Sequence, residues 1–435
     1  MLKTSVEVIN KLKAQGYEAY WAGGTVRDFL MGREPVDYDI VTSAKPDEIE
    51  SSLSRTIPIG KKFGVILAIE NGHHFEVATF RSDAAYSDGR RPDAVYFTHP
   101  EEDAKRRDFT VNGMFYDPIA KKVFDFVDGQ SDLQNKILRF IGNPDERIKE
   151  DNLRLLRAIR FKNSLGFEYA PGTLDAIKQN ATLINNVSKE RINEELTKIL
   201  VGPRRGQALR EMDQVGILDQ VLPELCEMKG VKQPEIYHKE GDVFEHTVMA
   251  LDSIPDGSPA ELVWAVLLHD IGKPGTFSVS DRIRFNQHAR VGGEIVQQIG
   301  KRLKFSNTFT ANVDWLVSHH MMLADVLKMK KTRQARLIHN PLFGELLELL
   351  RADSLGTIPN DLSLYDELKK LLDKKEILLP MPIKLLTGDE IISEFGIPQG
   401  AKVGELLDIV HEYQMEEKIT TKAEAKALVK KLLGQ

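Results

Sequence analysis

The chain has 435 residues, of which 42% are apolar, with a formal net charge of −6 and one cysteine. That length accommodates about three domains at roughly 150 residues each. The composition excludes a disordered chain and a protein coated in positive charge, but it leaves local basic tracks for a nucleic acid open. Cys226 stands alone, so no intrachain disulfide forms, which fits a reducing, cytoplasmic setting. The longest apolar run, Leu262 to Leu268, is far short of a membrane span, and Met1 to Ser5 lead into an amphipathic helix rather than a signal peptide.

The first element is helical: Val6, Ile9 and Leu12 recur at three-residue steps before Gly16. Strands are expected around Ala19–Ala22, Asp37–Val41, Gly64–Glu70 and His74–Arg81, giving a small α/β head with a mixed sheet over residues 1–140. The turn Ala22-Gly23-Gly24-Thr25-Val26-Arg27-Asp28 lets backbone N–H groups approach a phosphate, and Arg27 adds charge. Asp37 and Asp39 follow one residue apart, so an extended backbone points both to the same face. Two adjacent carboxylates repel one another unless a divalent cation sits between them. Nucleotidyl transfer needs such cations at the attacking 3′-hydroxyl and at the triphosphate, and Asp37 and Asp39 would hold Mg²⁺ there. Glu76, on a neighbouring strand, is the candidate third carboxylate, against an ordinary edge-strand charge.

Arg106-Arg107-Asp108-Phe109-Thr110-Val111-Asn112 places two arginines where they could brace a triphosphate, with Asp108 fixing their orientation; a structural ion pair is the alternative. From about Asn143 the pattern turns helical. Steps of three then set Asp151, Arg154, Arg157 and Arg160 along one stripe, while Leu153, Leu156 and Ile159 take another face. Asp151 only accepts and Arg154 only donates. The pair suits a base edge with an amino donor beside a ring acceptor, as in cytosine or adenine, and rejects uracil and guanine. A surface ladder of ion pairs would produce the same spacing.

These motifs, together with Glu190-Arg191-Ile192 and Glu195-Leu196, resemble the bacterial class II tRNA nucleotidyltransferases, the CCA-adding enzymes and their poly(A) polymerase relatives, over roughly residues 20–200. The resemblance implies a head (1–140), a helical neck (141–205), a body (206–365) and a tRNA-gripping tail (366–435). It further implies nucleotide contacts from Gly23, Gly24, Arg27, Arg107, Arg157 and Arg160, with Arg106 able to exchange roles with Arg107, and base selection by Asp151 and Arg154. The substrates implied are tRNA, CTP and ATP. The long stretch Arg81 to Phe97 disfavours CC-only addition and leaves A-only addition open. Gly60-Lys61-Lys62-Phe63 is similar to a stretch of the poly(A) polymerases, from which Pro58 and Ala68 depart.

The middle of the chain is rich in histidine. His246, His269-Asp270, His288, His319-His320 and Asp353 each lie beside an apolar helical stretch, and imidazoles with carboxylates can converge on a divalent metal. The set resembles the HD-domain metal phosphohydrolases. That likeness implies His246, His269, Asp270 and Asp353 as main ligands of Mg²⁺ or a divalent transition metal, with His288 and His320, or His319 in its place, serving a second ion. Rival readings of another class are an HD hydrolase or an RNA-binding protein whose head is catalytically silent.

Overall fold

The computed structural model describes residues 1–84, 94–234, 238–375, 383–416 and 418–434. The chain divides into two compact units, one of residues 1–229 with 299–306, the other of 230–298 with 307–435.

The first unit opens with the helix Leu2–Ala14, whose buried stripe is Val8, Ile9 and Leu12; Val6 is only half-buried. Behind it lies a seven-stranded sheet in the order Thr56–Gly60, Val65–Glu70, His73–Thr79, Ile40–Thr42, Ala19–Ala22, Phe115–Asp117, Lys122–Phe124. The sheet is mixed. Ile40–Thr42 runs parallel to His73–Thr79, while its other neighbour, Ala19–Ala22, is antiparallel. Trp21, 2% exposed, sits among Phe29, Tyr38 and Tyr116 with ring centroids 5.2 to 5.6 Å away.

Past the sheet the unit is largely helical, through Pro144–Glu150, Arg154–Leu165, Lys189–Val201 and Arg205–Gln214. Two short strands, Ile137–Leu138 and Glu168–Tyr169, pair in parallel at the start of this region.

The second unit is built on helices. Val243–Asp252, Ala260–Leu268 and Phe343–Gly356 pack together, and Ala260–Leu268 buries nearly its whole surface, including Trp264. That all-round burial accounts for the continuous apolar run from Leu262 to Leu268. A hairpin, Phe277–Val279 with Ile283–Phe285, projects from this body. The last helices, Gly388–Phe395, Ala401–Met415 and Lys422–Leu433, form their own core around Ile391, Leu406, Val410 and Val429. Capping boxes at Thr387/Glu390 and Thr421/Glu424 start two of them. No described helix is long and apolar enough to cross a membrane.

Candidate functional site

The segment carrying the two aspartates is held from both sides. Thr25 Oγ1 donates to the Asp37 carbonyl at 3.1 Å and accepts the Asp39 N–H at 2.9 Å. Tyr38 turns into the core, 4% exposed, so Asp37 and Asp39 both turn outward. The expected strand over 37–41 starts later, at Ile40; Asp37 lies in a bend and Asp39 just ahead of the strand. Asp37 and Asp39 nonetheless share the exposed side, because Tyr38 between them is buried. Gly23 has φ +63°, and a Cβ on it would come within 3.2 Å of Arg107 Nη1 and 3.7 Å of Asp39 Oδ2. A side chain there would be strained and would crowd the site.

Asp39 keeps an exposed side, yet the surrounding protein strips enough water from its carboxyl to push its pKa up to about 6. Glu76 and Asp37 push the same way, and Arg107 opposes them. Glu76 is exposed on the strand His73–Thr79, where Ile40 pairs with Val77, one residue on from each acid. This concentration of negative charge suits a divalent cation: carboxylate oxygens are its preferred ligands, and the charge it brings relieves their repulsion.

Opposing the aspartates in one cleft of about 770 Å³ are Arg27, Arg106, Arg107, Arg154, Arg157 and Arg160. Each guanidinium is held by an acid or a carbonyl. Arg27 Nη1 donates to Asn112 Oδ1 at 2.8 Å, and its Nε and Nη2 donate to Asp28. The expected role of Asp108 in orienting the arginine pair is corrected. Asp103, fully buried, holds both: Oδ1 accepts from Arg106 (2.6 and 3.0 Å) and Oδ2 from Arg107 (3.0 and 3.1 Å). It stands three and four residues ahead of them on the helix Pro100–Lys105, so one turn brings it beneath both. Asp108 instead grips Arg157 through Oδ2, while Oδ1 accepts the Phe109 N–H at 2.8 Å. Burial alone would raise the Asp108 pKa, but Arg157 outweighs it and holds it down to about 2.

The stripe of four is also corrected. Asp151 has β-region dihedrals and closes the helix Pro144–Glu150; the next helix starts at Arg154, so only Arg154, Arg157 and Arg160 share it. An acid's side-chain bond to the nearby Leu153 N–H competes with helical backbone bonding, and Asp151 makes that bond at 3.2 Å. Both candidate base readers nonetheless line the cleft. Arg191 clamps the Asp151 carboxylate with two bonds, 3.0 and 2.8 Å, and Arg154 Nη1 donates to Glu150 Oε2 and to the Arg147 carbonyl, each at 2.7 Å.

Phe161 was not singled out by its sequence, since an aromatic on a helix usually fills a core. It does so here, edge-on to Phe109 at 5.6 Å, but its ring also lies 5.3 Å from the guanidinium carbon of Arg27, 5.2 Å from that of Arg157 and 4.0 Å from that of Arg160. Lys198 also lines the cleft.

The second unit carries the histidine constellation, and all of its expected members come together except His319. His246, His269 and Asp353 form one group, and Asp270, His288 and His320 another. His319 turns its Nδ1 to the Trp315 carbonyl and stacks on that indole, so His320 is the member. In each of the four inward histidines Nδ1 faces a backbone carbonyl: Gly356 for His246 (3.2 Å), Val266 for His269 (2.8 Å), Phe285 for His288 (2.8 Å) and Val317 for His320 (2.7 Å). A carbonyl only accepts, so Nδ1 carries the proton and Nε2 is left as the inward lone pair. The Nε2 atoms face each other in pairs, 3.3 Å apart for His246 and His269 and 3.2 Å for His288 and His320. Two lone pairs at that distance repel each other unless a proton or a metal ion lies between them. Asp353 Oδ1 at 3.0 Å from His246 Nε2 and Asp270 at 3.3 Å from His269 Nε2 supply the carboxylates. Burial would lower the His269 pKa, but Asp270 and Asp353 hold it up to about 10, which restates the demand of this pocket for positive charge. The donor set fits divalent metal ions.

Two neighbours escaped the sequence reading. Glu240 accepts from His238 Nδ1 at 2.6 Å and lies 3.2 Å from His246 Nδ1, the geometry of an acid that orients a metal-bound imidazole. Lys273, three residues after Asp270, reaches its carboxylate at 2.6 Å. The spacing Asp270-x-x-Lys273 was the available signal; for Glu240 there was none.

A fold of mixed-sheet head, helical neck and HD body defines a nucleotidyltransferase joined to an HD domain, and comparisons with known proteins agree. Residues 19–139 match the poly A polymerase head domain, 166–229 the probable RNA and SrmB-binding site of polymerase A, and 242–376 the HD domain. The CCA-adding enzyme of Ligilactobacillus salivarius is 32% identical over 408 residues, 93% of this chain and 90% of that one. That of Staphylococcus aureus (strain MRSA252) is 45% identical over 196 residues, 45% of this chain and 49% of the relative. The crystal structure of the Bacillus stearothermophilus CCA-adding enzyme in complex with CTP superposes with a TM-score of 0.68 at 25% identity, covering 100% of this chain and 98% of that one. The Thermotoga maritima CCA-adding enzyme complexed with tRNA, at 20% identity and TM-score 0.56, shares the fold. The chain belongs to the CCA-adding enzyme family of nucleotidyltransferases.

Proposed function

We propose that this protein adds CCA, or only its terminal A, to tRNA 3′ ends, drawing on CTP and ATP. One observation carries the reading: a single cleft lined by the outward pair Asp37 and Asp39 and by guanidiniums already fixed by acids. Asp37 and Asp39 hold Mg²⁺, with Glu76 adding negative charge beside them; when bound, the metal supplies Lewis-acid charge where the 3′-hydroxyl and the triphosphate react. Gly23 and Gly24 admit the phosphates close to the backbone, and Arg27 and Arg107 neutralise them. Asp108 acts through Arg157, and Arg160 stands beside it on the same helix. Asp151, whose Oδ2 retains accepting capacity beyond the Arg191 clamp, takes the amino donor of cytosine or adenine. Arg154 offers its remaining N–H groups to the ring acceptor. The head spans 1–140, the neck 141–205, the body 206–365 and the tail, which grips tRNA, 366–435.

The test uses purified protein, Mg²⁺ and tRNA ending at the discriminator base, the first C or the second C. CTP alone should add two residues to the shortest substrate and ATP alone one to the longest; A-only activity would extend just the last. Long A tails on unrelated RNA would overturn the reading in favour of a poly(A) polymerase. The expectation against CC-only addition rests on Arg81 to Phe97, of which 85–93 lie outside the described residues.

A second reading rests on the facing Nε2 pairs: the HD body is a metal phosphohydrolase held by His246, His269, Asp270, His288, His320 and Asp353, using Mg²⁺ or a transition metal. Replacing His269 and Asp270 by alanine should abolish metal-dependent phosphatase activity without stopping nucleotide addition. Loss of both activities together would count against independent sites.

A further inference from the structure

The first unit holds another cleft, of about 700 Å³, whose lining contains no carboxylate. The helices Gly24–Leu30 and Arg154–Leu165 run between the two clefts. Each reaches the arginine cleft near its N-terminus, through Arg27 and Arg154, and this one at its last residue, Leu30 and Leu165.

Three cations share the lining: Arg33, Lys136 and Arg204, all exposed. Neither Arg33 nor Lys136 pairs with an acid among the described residues. Arg204 is tethered by a neutral group, its Nη1 donating to the Asn163 carbonyl at 3.0 Å. In the arginine cleft acids answer the guanidiniums; here the charge stands unopposed, in a chain whose net charge is negative. Two of the three cations sit where the backbone favours glycine. Lys136 ends the helix Gly129–Asn135 at φ +56°, the place that Gly166 takes after Arg154–Leu165, and Arg204 precedes the helix Arg205–Gln214 at φ +55°. Gly166 in turn makes room for Arg204, since a Cβ on it would overlap Nη1 and Nη2. The guanidinium lies across that glycine, held in place before a ligand arrives.

The rest of the lining is apolar or amide. Leu30, Met31 and Leu133 are half-buried, and Leu165 and Phe167 are buried. Gln130 and Gln134, four residues apart and so on one face of their helix, add groups that both donate and accept.

We infer that this cleft is a second nucleotide site, taking a nucleoside polyphosphate with its phosphates on Arg33, Lys136 and Arg204 and its base among the apolar side chains and glutamine amides. The volume lies within the range of small-ligand sites. Several unopposed cations in one small cleft suit a ligand that carries several charges close together, as a polyphosphate does. An RNA strand would need exposed aromatic side chains for its successive bases, and the aromatic in this lining, Phe167, is 1% exposed. The inference does not depend on whether the head makes CCA, a terminal A or poly(A).

Equilibrium dialysis of radiolabelled GTP against the full chain in EDTA tests it, because guanine does not match the Asp151–Arg154 pair. The wild type should bind a single GTP. Arg33→Ala with Lys136→Gly and Arg204→Gly removes the three cations at no conformational cost and should weaken binding about 100-fold or more. Arg33→Glu, an exposed change with no partner to lose, should weaken it about tenfold by itself. Arg27→Ala with Arg107→Ala, in the arginine cleft, should leave GTP binding as it was. Inorganic triphosphate should bind about tenfold more weakly than GTP, for want of the base contacts. Nucleotide addition by the triple variant, measured without GTP, should match the wild type.

Loss of GTP binding in the Arg27 and Arg107 variant with none in the triple variant would place GTP in the arginine cleft and overturn the inference. Equal affinity for inorganic triphosphate overturns the nucleoside assignment. A short single-stranded RNA or a polyglutamate peptide that displaces GTP at lower concentration than ATP does, and loses affinity in the triple variant, overturns it in favour of a polymer. An equal loss of nucleotide addition in the triple variant would make the cations tRNA contacts, which overturns it as well.

Discussion

The arginine cleft and the imidazole cluster both gather charge, but they handle it in opposite ways. In the cleft, Asp37 and Asp39 are exposed, and the guanidiniums are each tethered by an acid that leaves part of the fork free. In the cluster the imidazoles are nearly fully buried and every Nδ1 proton is given to the backbone, so the Nε2 atoms have fixed aims. A site that must admit a triphosphate and then release its products keeps its charges accessible and its ligand oxygens solvated. A site that retains a metal fixes its ligands in advance, because reorganising them would cost affinity. Openness and tethering go with turnover; burial and a committed tautomer go with retention.

The largest expected effect lies on the open side. Asp37→Ala with Asp39→Ala should slow nucleotide addition by about 10³-fold or more, since metal charge stabilisation contributes several kcal/mol to such a step. Phosphatase activity measured on the same preparation should persist; a matching loss there would break the comparison. On the buried side, Glu240→Gln should weaken metal retention about 10- to 100-fold, measured by metal content after dialysis against a chelator series, with nucleotide addition intact. Full retention would mean that the Nδ1 carbonyl contacts alone orient His246.

Acid separates the tethers from the paired aspartates. Asp108 is held at about 2 against an ordinary 3.8, so its ionised carboxylate, held chiefly by Arg157 against the cost of burial, contributes about 2–3 kcal/mol, present above pH 4 and lost as pH falls toward 2. Asp108→Asn should flatten that part of the stability profile in urea titrations. Asp39 has the opposite sign. Its carboxyl is raised to about 6, so its ionised form disfavours the folded state at pH 7 in the absence of metal. Asp39→Asn should therefore raise the melting temperature in EDTA above pH 6, with the gain gone below pH 4. No gain at pH 7 would remove the case for crowded negative charge there.

The smallest effect tests the ring beneath the guanidiniums. Phe161→Leu should raise KM for CTP and ATP by about 3- to 10-fold, for loss of roughly 1 kcal/mol of cation–π contact, and Phe161→Tyr should restore it. A change in kcat alone would reduce Phe161 to core packing.

Much of the site was legible because it is local. The glycine turn, the alternation that sends Asp37 and Asp39 outward around Tyr38, and the i, i+3 spacing of Arg154, Arg157 and Arg160 all follow from chain geometry within a few residues. The readings that needed correction concern which acid meets which arginine. Asp103 and Asp108 are both within helical or turn reach of Arg106 and Arg107, and sequence spacing does not tell a tether from a neighbour. Asp108 was drawn to a partner 49 residues away. Asp151 closes its helix and is clamped by Arg191, 40 residues on.

Residue identity alone determined that this chain would gather paired carboxylates, donor forks and imidazoles, because those chemical groups and their local periodicity are written into it. Tertiary structure decided which imidazole nitrogens face each other and which acid holds which arginine. The physical reason is range. Backbone geometry governs a few residues at a time, whereas hydrogen-bond partners are chosen by packing among segments far apart along the chain.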